Sequence, residues 1–309
     1  MSDLNLKEAD KLEVVVLVDN YTDALLESTS VAVRAPMRLP MTPLSEHGMA
    51  CLLKVFSGPE EHHVLFDSGH GAECITFNMD YMELDAKKIE TIVISHGHVD
   101  HIEGLTAVLQ RTGKHVPVIL HPNVFLEHRL NVKPINHIVD MPILNKEKLE
   151  KEITLVISEK PSTIASDLVL VTNTVERVTD FEKGFPFCEI KINGEWVTDP
   201  FEDDQALAVK VKGKGLIVVG GCSHAGIINT IKYCQKLSGT EKIHAVMGGF
   251  HLNDKIFEPI IKPTIEEMKK LEPEYIVPMH CTGWKAMNDF EKEMPGQFIL
   301  NSTCTTYQF

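Results

Sequence analysis

The stretch TIVISHGHVDHIEG, residues 91–104, places three histidines and one aspartate within six positions, directly after a hydrophobic run. The run has the β-branched composition of a buried strand, and the polar residues follow where that strand would end. Neutral imidazole and carboxylate groups in one turn suit zinc first, with iron, manganese and magnesium as alternatives. The stretch therefore predicts a metal site at a strand end.

The spacing of this cluster favours two ions over one. A tight turn sends alternate residues to opposite sides, so His96 and His98 would hold one ion, and Asp100 and His101 the other. Paired catalytic metals lie roughly 3.5–4 Å apart, so residues of one turn can bind both of them. We expect one or two divalent ions per chain.

Three further hydrophobic runs end in a histidine, and a fourth ends in an aspartate. Ligands of α/β folds gather outside strand ends, where loops converge. The repeated placement therefore predicts one shared site, although a surface or capping role stays open for each residue taken alone. The runs are HVLFDSG (63–69), LIVVGGCSHAG (216–226), HAVMGGFHL (244–252) and YIVPMHCTG (275–283).

The composition of the 309 residues excludes several classes of protein. The net charge of −14 argues against nucleic-acid binding, which relies on Lys and Arg to neutralise phosphates. No apolar run approaches the roughly 18 residues of a membrane span, and the polar start contains no secretory signal. Seven cysteines without a Cys-x-x-Cys pair fit a reducing compartment. We expect a cytoplasmic protein that binds a small molecule and neither nucleic acid nor membrane; its oligomeric state stays open.

Short β-rich runs alternate with segments of helical periodicity, which predicts a single α/β domain over 1–309. The segment 123–162 contains three prolines and a charged run, and we expect it to be an insertion or lid. The predicted helices are 102–114, 226–238 and 259–271. The predicted strands are 11–20, 48–56, 62–69, 89–96, 116–122, 167–174, 206–221, 242–249 and 274–280.

The motif SHGHVDH (95–101), combined with LFDSG (65–69), resembles the metallo-β-lactamase superfamily. This resemblance implies an αββα sandwich, in which two central mixed sheets are flanked by helices and the metals lie at one edge. Other motifs resemble a subgroup similar to the 7,8-dihydropterin-6-methyl-4-(β-D-ribofuranosyl)aminobenzene-5'-phosphate synthases of methanopterin biosynthesis. The resemblance runs from Leu12 to Cys304. The subgroup motifs are SEHGMACLLKV (45–55), GGCSHAGIINTI (220–231), MGGFHL (247–252) and VPMHCTGW (277–284).

The superfamily pattern implies further ligands. His280 would complete the second ion. Hydrolytic members usually supply one more histidine downstream and then a bridging aspartate at a strand end. This chain has no histidine between 140 and 223, and GGCSH (220–224) stands at the bridging position. We expect His224 to replace the missing histidine, whereas Cys222 is either a soft ligand or a small buried residue beside the centre.

Other polar residues near strand ends would support the chemistry. Asp67 is expected to accept the second N–H of a metal-bound histidine, with a strand-end cap as the alternative. Asp100 would act in catalysis as well as in metal binding. His47 and His251 have no superfamily counterparts, and we expect them to bind substrate or to shuttle protons.

An acidic chain needs its own cationic partners for a phosphorylated substrate. Arg129 and Arg177 follow predicted strand ends, and a planar guanidinium holds phosphate well. His121 and Phe125 lie close to Arg129 in sequence and are candidates for contacting a planar ring. Ordinary surface ion pairs are the alternative for both arginines.

Two reactions fit this predicted site. The resemblance implies a transferase that joins a pterinylmethyl group, supplied as its diphosphate, to an arylamine ribosyl phosphate. A hydrolase would instead direct water at a phosphodiester, lactone or thioester. The missing bridging aspartate, which orients that water in hydrolases, favours the transferase. A redox or sensor module would turn over neither kind of substrate.

Overall fold

The computed structural model describes residues 4–309. Among these residues, none of the helices combines the length and the apolar character that a membrane crossing requires. The α-helices are α1 (Ala72–Tyr81), α2 (Val99–Ile102), α3 (Leu105–Thr112), α4 (Lys146–Glu152), α5 (Ile227–Ser238), α6 (Glu258–Leu271) and α7 (Trp284–Glu293). The strands are β1 (Glu8–Ala9), β2 (Lys11–Val18), β3 (Ala32–Arg34), β4 (Ala50–Ser57), β5 (Glu60–Phe66), β6 (Thr91–Val93), β7 (Pro117–Leu120), β8 (His128–Val132), β9 (His137–Asp140), β10 (Thr154–Ile157), β11 (Ser162–Ile164), β12 (Val169–Val171), β13 (Cys188–Ile192), β14 (Glu195–Thr198), β15 (Ala206–Val211), β16 (Gly215–Gly220), β17 (Ile243–Gly249), β18 (Tyr275–Met279) and β19 (Thr305–Gln308).

Two large mixed sheets enclose the central core. The first has the order β11–β12–β15–β16–β17–β18, with β1 also beside β15, and the second has the order β10–β7–β6–β5–β4–β2–β19–β3. Strands β16, β17 and β18 are parallel to one another, as are β5, β6 and β7. Because parallel strands end at the same edge of a sheet, the loops after them converge.

Both faces of each sheet are buried, and the alternation along β16 illustrates this. Ile217 and Val219 belong to the core between the sheets, whereas Leu216 and Val218 pack in the outer core beneath α5 and α6. Successive side chains of a strand point to opposite faces, so a strand buried on both sides is hydrophobic throughout. Helices α1, α3 and α4 cover the second sheet. The predicted αββα sandwich is confirmed.

A third, smaller sheet with the order β14–β13–β8–β9 draws on the segment predicted as an insertion. The extent of that insertion needs correction, because its second half belongs to the main fold. Strand β10 pairs with β7, and Leu149 and Ile153 are buried in the outer core. The charged run forms the solvent-exposed face of α4, and Leu149 within this run is buried on the opposite face. Val124 also lies in this outer core, and Phe125 and Leu144 pack against it, so only the part between residues 125 and 144, which contains β8 and β9, stands apart.

The predicted strand 206–221 is a hairpin of β15 and β16, with Ala206 opposite Gly220. Gly213 at the turn has φ +74°, a left-handed conformation that glycine adopts without strain. Strands β1, β3, β13, β14 and β19 and helices α1, α2 and α7 lie where no element was predicted, and β8–β11 and α4 lie in the segment predicted as an insertion or at its end. The other predicted strands and helices are present with shifted ends.

Candidate metal centre

Three buried histidine rings converge at the edge of the two sheets. His96 and His98 come from the loop after β6, and His224 comes from the loop after β16. The Nε2 atom of His224 lies 3.2 Å from His96 Nε2 and 3.2 Å from His98 Nδ1. These three residues form the first ligand cluster.

The geometry of the first cluster fits a metal ion. With metal–nitrogen bonds of about 2.0–2.1 Å, a tetrahedral zinc ion places its ligand nitrogens roughly 3.3 Å apart. Burial lowers the pKa of all three histidines, that of His98 to about 4, so the rings are neutral at pH 7. A single proton on His224 Nε2 could form a hydrogen bond with only one of the two neighbouring nitrogens. A cation between the three rings would instead be bound by the lone pairs of all three nitrogens.

A second ligand cluster consists of Asp100, His101, His280 and Cys222, whose ligand atoms all lie within 4.8 Å of one another. Asp100 Oδ2 is 3.2 Å from His280 Nε2 and 3.7 Å from His101 Nε2. The sulfur of Cys222 is 3.2 Å from His101 Nε2. His280 Nε2 is close to Asp100 but does not form a hydrogen bond with it. Two atoms that bind the same ion would be arranged in this way.

The second cluster is charged where the first is neutral. Burial alone would raise the pKa of Asp100, but His101 and His280 bring it well below its ordinary value. Burial also lowers the pKa of His101, yet Asp67 and Asp100 outweigh burial and raise it to about 9. Two carboxylates therefore stabilise a positive charge at this position, which suits a divalent cation.

A buried hydrogen-bond network connects the two clusters. Asp67 accepts a hydrogen bond from His101 Nδ1 at 2.7 Å and another from the Ser95 backbone N–H at 2.6 Å. The Ser95 hydroxyl donates to Asp67 at 2.7 Å and lies 2.9 Å from His96 Nδ1. Asp67 thus reaches a histidine of each cluster, which suits the predicted orienting role. The sequence analysis did not identify Ser95 as a site residue, although it directly precedes His96.

Left-handed backbone conformations turn several strand-end side chains toward the clusters. The φ angle is 61° at Asp67, 45° at His251 and 52° at His280. Such angles are uncommon outside glycine, and aspartate and histidine are among the residues that tolerate them best. They concentrate at functional sites, where the surrounding structure holds them.

A cavity of about 460 Å³ opens over both clusters. Three carboxylates line it, Asp100 of the second cluster and also Asp140 and Asp254, and within residues 4–309 no lysine or arginine does. Otherwise its walls are largely apolar. The wall residues are Leu130, Val139, Met141, Pro142, Phe185 and Phe257.

Both histidines predicted to act on the substrate line this cavity. The ring centroid of His251 is 4.2 Å from that of His224, and its buried Nδ1 atom has no hydrogen-bond partner in the described part of the chain. His47 is exposed at the mouth, and its Nε2 atom is 3.5 Å from Asp100 Oδ2. The two rings therefore approach the ligand clusters from the cavity.

The arginines predicted to hold a phosphate lie outside the cavity, and that prediction is corrected. The Arg129 guanidinium bonds to Glu189 at 2.8 and 2.6 Å and lies 4.1 Å from the Trp196 ring centroid. Arg177 is exposed and donates to the carbonyl of Pro200 at 2.9 Å. The partners of Arg129 are about sixty residues away, so no local pattern reveals them.

The two residues predicted to contact a planar ring are also outside the cavity. His121 is buried, and its Nδ1 atom accepts a hydrogen bond from the Asn123 backbone N–H at 3.2 Å. Phe125 packs against the outer core of the second sheet. Strand β7, which precedes both residues, ends at the same edge as β6 but lies one strand further toward the side of its sheet, so its end is displaced sideways from the clusters.

The cavity also contains residues that the sequence analysis missed. Cys281 donates a hydrogen bond from its sulfur to the Cys222 carbonyl at 3.6 Å, and its position after His280 was an available signal. Phe185 and Phe257 follow no predicted strand, and no sequence pattern distinguished them. Their rings are 5.5 Å apart by centroid and border His251.

Known proteins are similar to this chain in sequence, and a solved structure is similar to it in fold. Residues 53–182 match the family model of the metallo-β-lactamase superfamily. The chain is 33% identical over 301 residues to the 7,8-dihydropterin-6-methyl-4-(β-D-ribofuranosyl)-aminobenzene-5'-phosphate synthase of Methanocaldococcus jannaschii, covering 96% of each protein. This chain belongs to the metallo-β-lactamase superfamily.

Two further proteins are similar to this chain over most of their length. An uncharacterized protein of Methanocaldococcus jannaschii is 34% identical over 246 residues, which are 79% of this chain and 86% of that protein. The crystal structure of Tm1679, described as a metal-dependent hydrolase of the β-lactamase superfamily, matches with a TM-score of 0.73 and 25% identity. That match covers 96% of this chain and 98% of Tm1679. The superfamily fold therefore extends over nearly the whole chain.

Proposed function

We propose that the protein is a metal-dependent transferase that joins a pterinylmethyl group, supplied as its diphosphate, to an arylamine ribosyl phosphate. The observation that carries this proposal is the 33% identity to the methanopterin-pathway synthase, which extends over 96% of both chains. The two ligand clusters at the floor of one cavity support it, because a diphosphate leaving group needs concentrated positive charge.

The ligand clusters supply the binding positions for two divalent ions. His96, His98 and His224 would hold the first ion, and Asp100 with His280 would hold the second, together with His101. When bound, the ions would neutralise diphosphate oxygens and stabilise the charge that develops on the leaving group. Zinc suits these nitrogen and oxygen donors best among the ions considered.

The cavity walls suit the organic part of such a substrate. Phe185 and Phe257 offer aromatic surface to a planar ring. Offset-stacked or edge-to-face contacts between aromatic rings would stabilise the bound ring. Asp140 and Asp254 offer acceptors to ring N–H groups, and a pterin presents such donors. Because no lysine or arginine lines the cavity within the described residues, only a phosphate group next to the ligand clusters would be neutralised there.

The proposed reaction needs a proton acceptor beside the acceptor amine. The arylamine nitrogen attacks the methylene carbon, the bond from that carbon to the diphosphate oxygen breaks, and diphosphate leaves with the electron pair. The nitrogen then releases one proton. His251 would take it, because its Nδ1 atom is buried at the cavity without a protein partner within residues 4–309. His47 at the mouth would pass it to solvent.

The test uses the purified protein with both substrates and added zinc, manganese or magnesium. We expect equimolar diphosphate and coupled product, measured by mass spectrometry, and loss of both in His96→Ala. Diphosphate release without coupled product, or no reaction with any of the three ions, would contradict the transferase.

A hydrolase is the second candidate, favoured by the similarity to Tm1679, which is described as a metal-dependent hydrolase. Its substrates would be phosphodiesters, lactones or thioesters. The same metal-loaded protein would then turn over a chromogenic ester of one of these classes, and the pterin donor and arylamine would remain uncoupled. The two candidates therefore give opposite results with the same preparation.

A further inference from the structure

The short segment 199–205, between β14 and β15, contacts both loops that carry the histidines of the first ligand cluster. The side chains of Phe201, Asp203, Asp204 and Gln205 are buried, whereas that of Glu202 is exposed. None of these residues was predicted as a site residue, because the segment contains no ligand-type histidine. Its buried contacts give it a role beside the metal centre.

Asp203 and Gln205 hold the loop after β6. Asp203 Oδ2 accepts a hydrogen bond at 2.9 Å from the backbone N–H of Gly97, which separates the two histidines of this loop. The side-chain amide of Gln205 donates to the Ile94 carbonyl at 2.6 Å, and its backbone N–H donates to the Ser95 carbonyl at 3.0 Å. These bonds fix the loop on both sides of its first histidine.

Asp204 and Phe201 hold the loop that carries His224. Asp204 Oδ2 accepts a hydrogen bond at 2.8 Å from the backbone N–H of Ala225. The Phe201 ring stacks on the His224 ring, with the ring centroids 4.1 Å apart and the ring planes inclined by 12°. The His224 Nδ1 atom has no hydrogen-bond partner among residues 4–309. Ring packing, rather than a hydrogen bond, therefore orients this ligand.

The backbone at Phe201 is strained in the conformation that places its ring there. Its φ angle is 54°, which is uncommon for a bulky residue. The Asp199 carboxylate accepts a hydrogen bond from the Phe201 backbone N–H at 2.7 Å, and its other oxygen lies 3.0 Å from His128 Nδ1. Such conformations persist only where the surrounding structure holds them, and they concentrate at functional sites.

We propose that Phe201, Asp203 and Asp204 are positioning residues of the first metal site. They tie the loops after β6 and β16 to one segment, and so hold three ligand nitrogens at the separation that one ion needs. In the described part of the chain, these three side chains neither hydrogen-bond to the second cluster nor stack on it. Their effect should be confined to the first ion. The inference rests on the proposed function only in requiring that the first cluster binds a metal ion.

Two substitutions of Asp204 separate its hydrogen bond from its shape. Leucine is similar in shape but accepts no hydrogen bond. Asparagine keeps an oxygen for the Ala225 N–H, and its amide nitrogen takes the place of Oδ1, which has no partner within the described residues. Glu202→Leu is the matched control, because it removes the exposed neighbouring carboxylate.

Calorimetric titration with zinc in a His280→Ala background, which should keep only the first ion, measures the effect. We expect Asp204→Leu to weaken zinc binding about 10- to 100-fold, as loss of an outer hydrogen-bond partner does. Asp204→Asn and Glu202→Leu should bind zinc as the background does. Phe201→Leu should weaken binding like Asp204→Leu, and it carries the test if circular dichroism shows that Asp204→Leu is unfolded.

The same substitutions in a His96→Ala background, which should keep only the second ion, test specificity. We expect no change in zinc affinity there. Equal weakening in both backgrounds would reveal a general structural role and overturn the proposal. Unchanged first-ion affinity in the leucine variants, or an asparagine variant as weak as Asp204→Leu, would overturn it too. Zinc binding without coupling by the wild type refutes the proposed function alone, whereas coupling with first-ion affinity insensitive to these substitutions refutes this inference alone.

Discussion

Replacing Asp67 by asparagine tests whether the buried carboxylate orients the metal ligands. The carboxylate accepts hydrogen bonds of 2.6 to 2.7 Å from the Ser95 backbone and hydroxyl and from His101 Nδ1. An asparagine oxygen at the Oδ1 position keeps the hydrogen bond from the Ser95 backbone N–H, and the amide nitrogen at the Oδ2 position then faces both the Ser95 hydroxyl and His101 Nδ1. Asparagine also tolerates the φ of 61° at this position, so the variant should fold.

The expected effect follows from the tautomer of His101. Facing an amide N–H₂, the Nδ1 atom must become the acceptor, and the ring proton moves to Nε2. That nitrogen faces Asp100 and Cys222, where a lone pair is needed for metal. Loss of such an orienting carboxylate weakens metal binding about 10- to 100-fold, which corresponds to about 1.4–2.8 kcal/mol.

Calorimetric titration of the apoprotein with zinc measures the two binding steps. We expect the Asp67→Asn variant to retain the first step and to lose affinity in the second. Ser95→Ala is the matched control: it removes the hydroxyl beside His96 Nδ1 and should weaken the first step instead. Unchanged affinity in both steps of Asp67→Asn would refute the orienting role.

Three further perturbations test other parts of the structure. His251→Asn should keep its metal content by elemental analysis and lower kcat about 10²- to 10⁴-fold, as expected for a lost proton acceptor; metal loss would make His251 a ligand. Burial lowers the pKa of His128, but its hydrogen bond with Asp199, the negative charge of Asp203 and the hydrogen bond to the Asn123 carbonyl together outweigh burial and raise it to about 8. The resulting stabilisation, up to about 2 kcal/mol, is complete below pH 6.5 and disappears as the pH rises through 8; urea unfolding of His128→Gln should lack this decline. Gly248→Ala places a methyl group 2.2 Å from a backbone oxygen of β16 and should destabilise by about 3 kcal/mol or more, whereas Gly213→Ala, with open space around it, should cost about 1–2 kcal/mol; equal denaturant midpoints would contradict the clash.

The sequence alone determined the features that depend on neighbouring residues. Hydrophobic runs that end in histidine or aspartate predicted the strands and the edge at which the polar residues meet. The HGHVDH cluster predicted metal binding, because imidazole and carboxylate at this spacing have few other uses. The motifs also identified the superfamily, and with it the αββα sandwich. These features lie within short segments, so local periodicity and spacing carry them.

Only the tertiary structure decided which side chains meet. Arg129 meets its partner Glu189 at a separation of 60 residues. The approach of His224 to His96 and His98, from about 126 residues away, was expected only because the superfamily pattern implied it. The placement of β10 in the main sheet and of Cys222 in the second cluster likewise depends on strand order. Such contacts arise from the packing of distant segments around a common core, and no local pattern records how that packing brings two positions together.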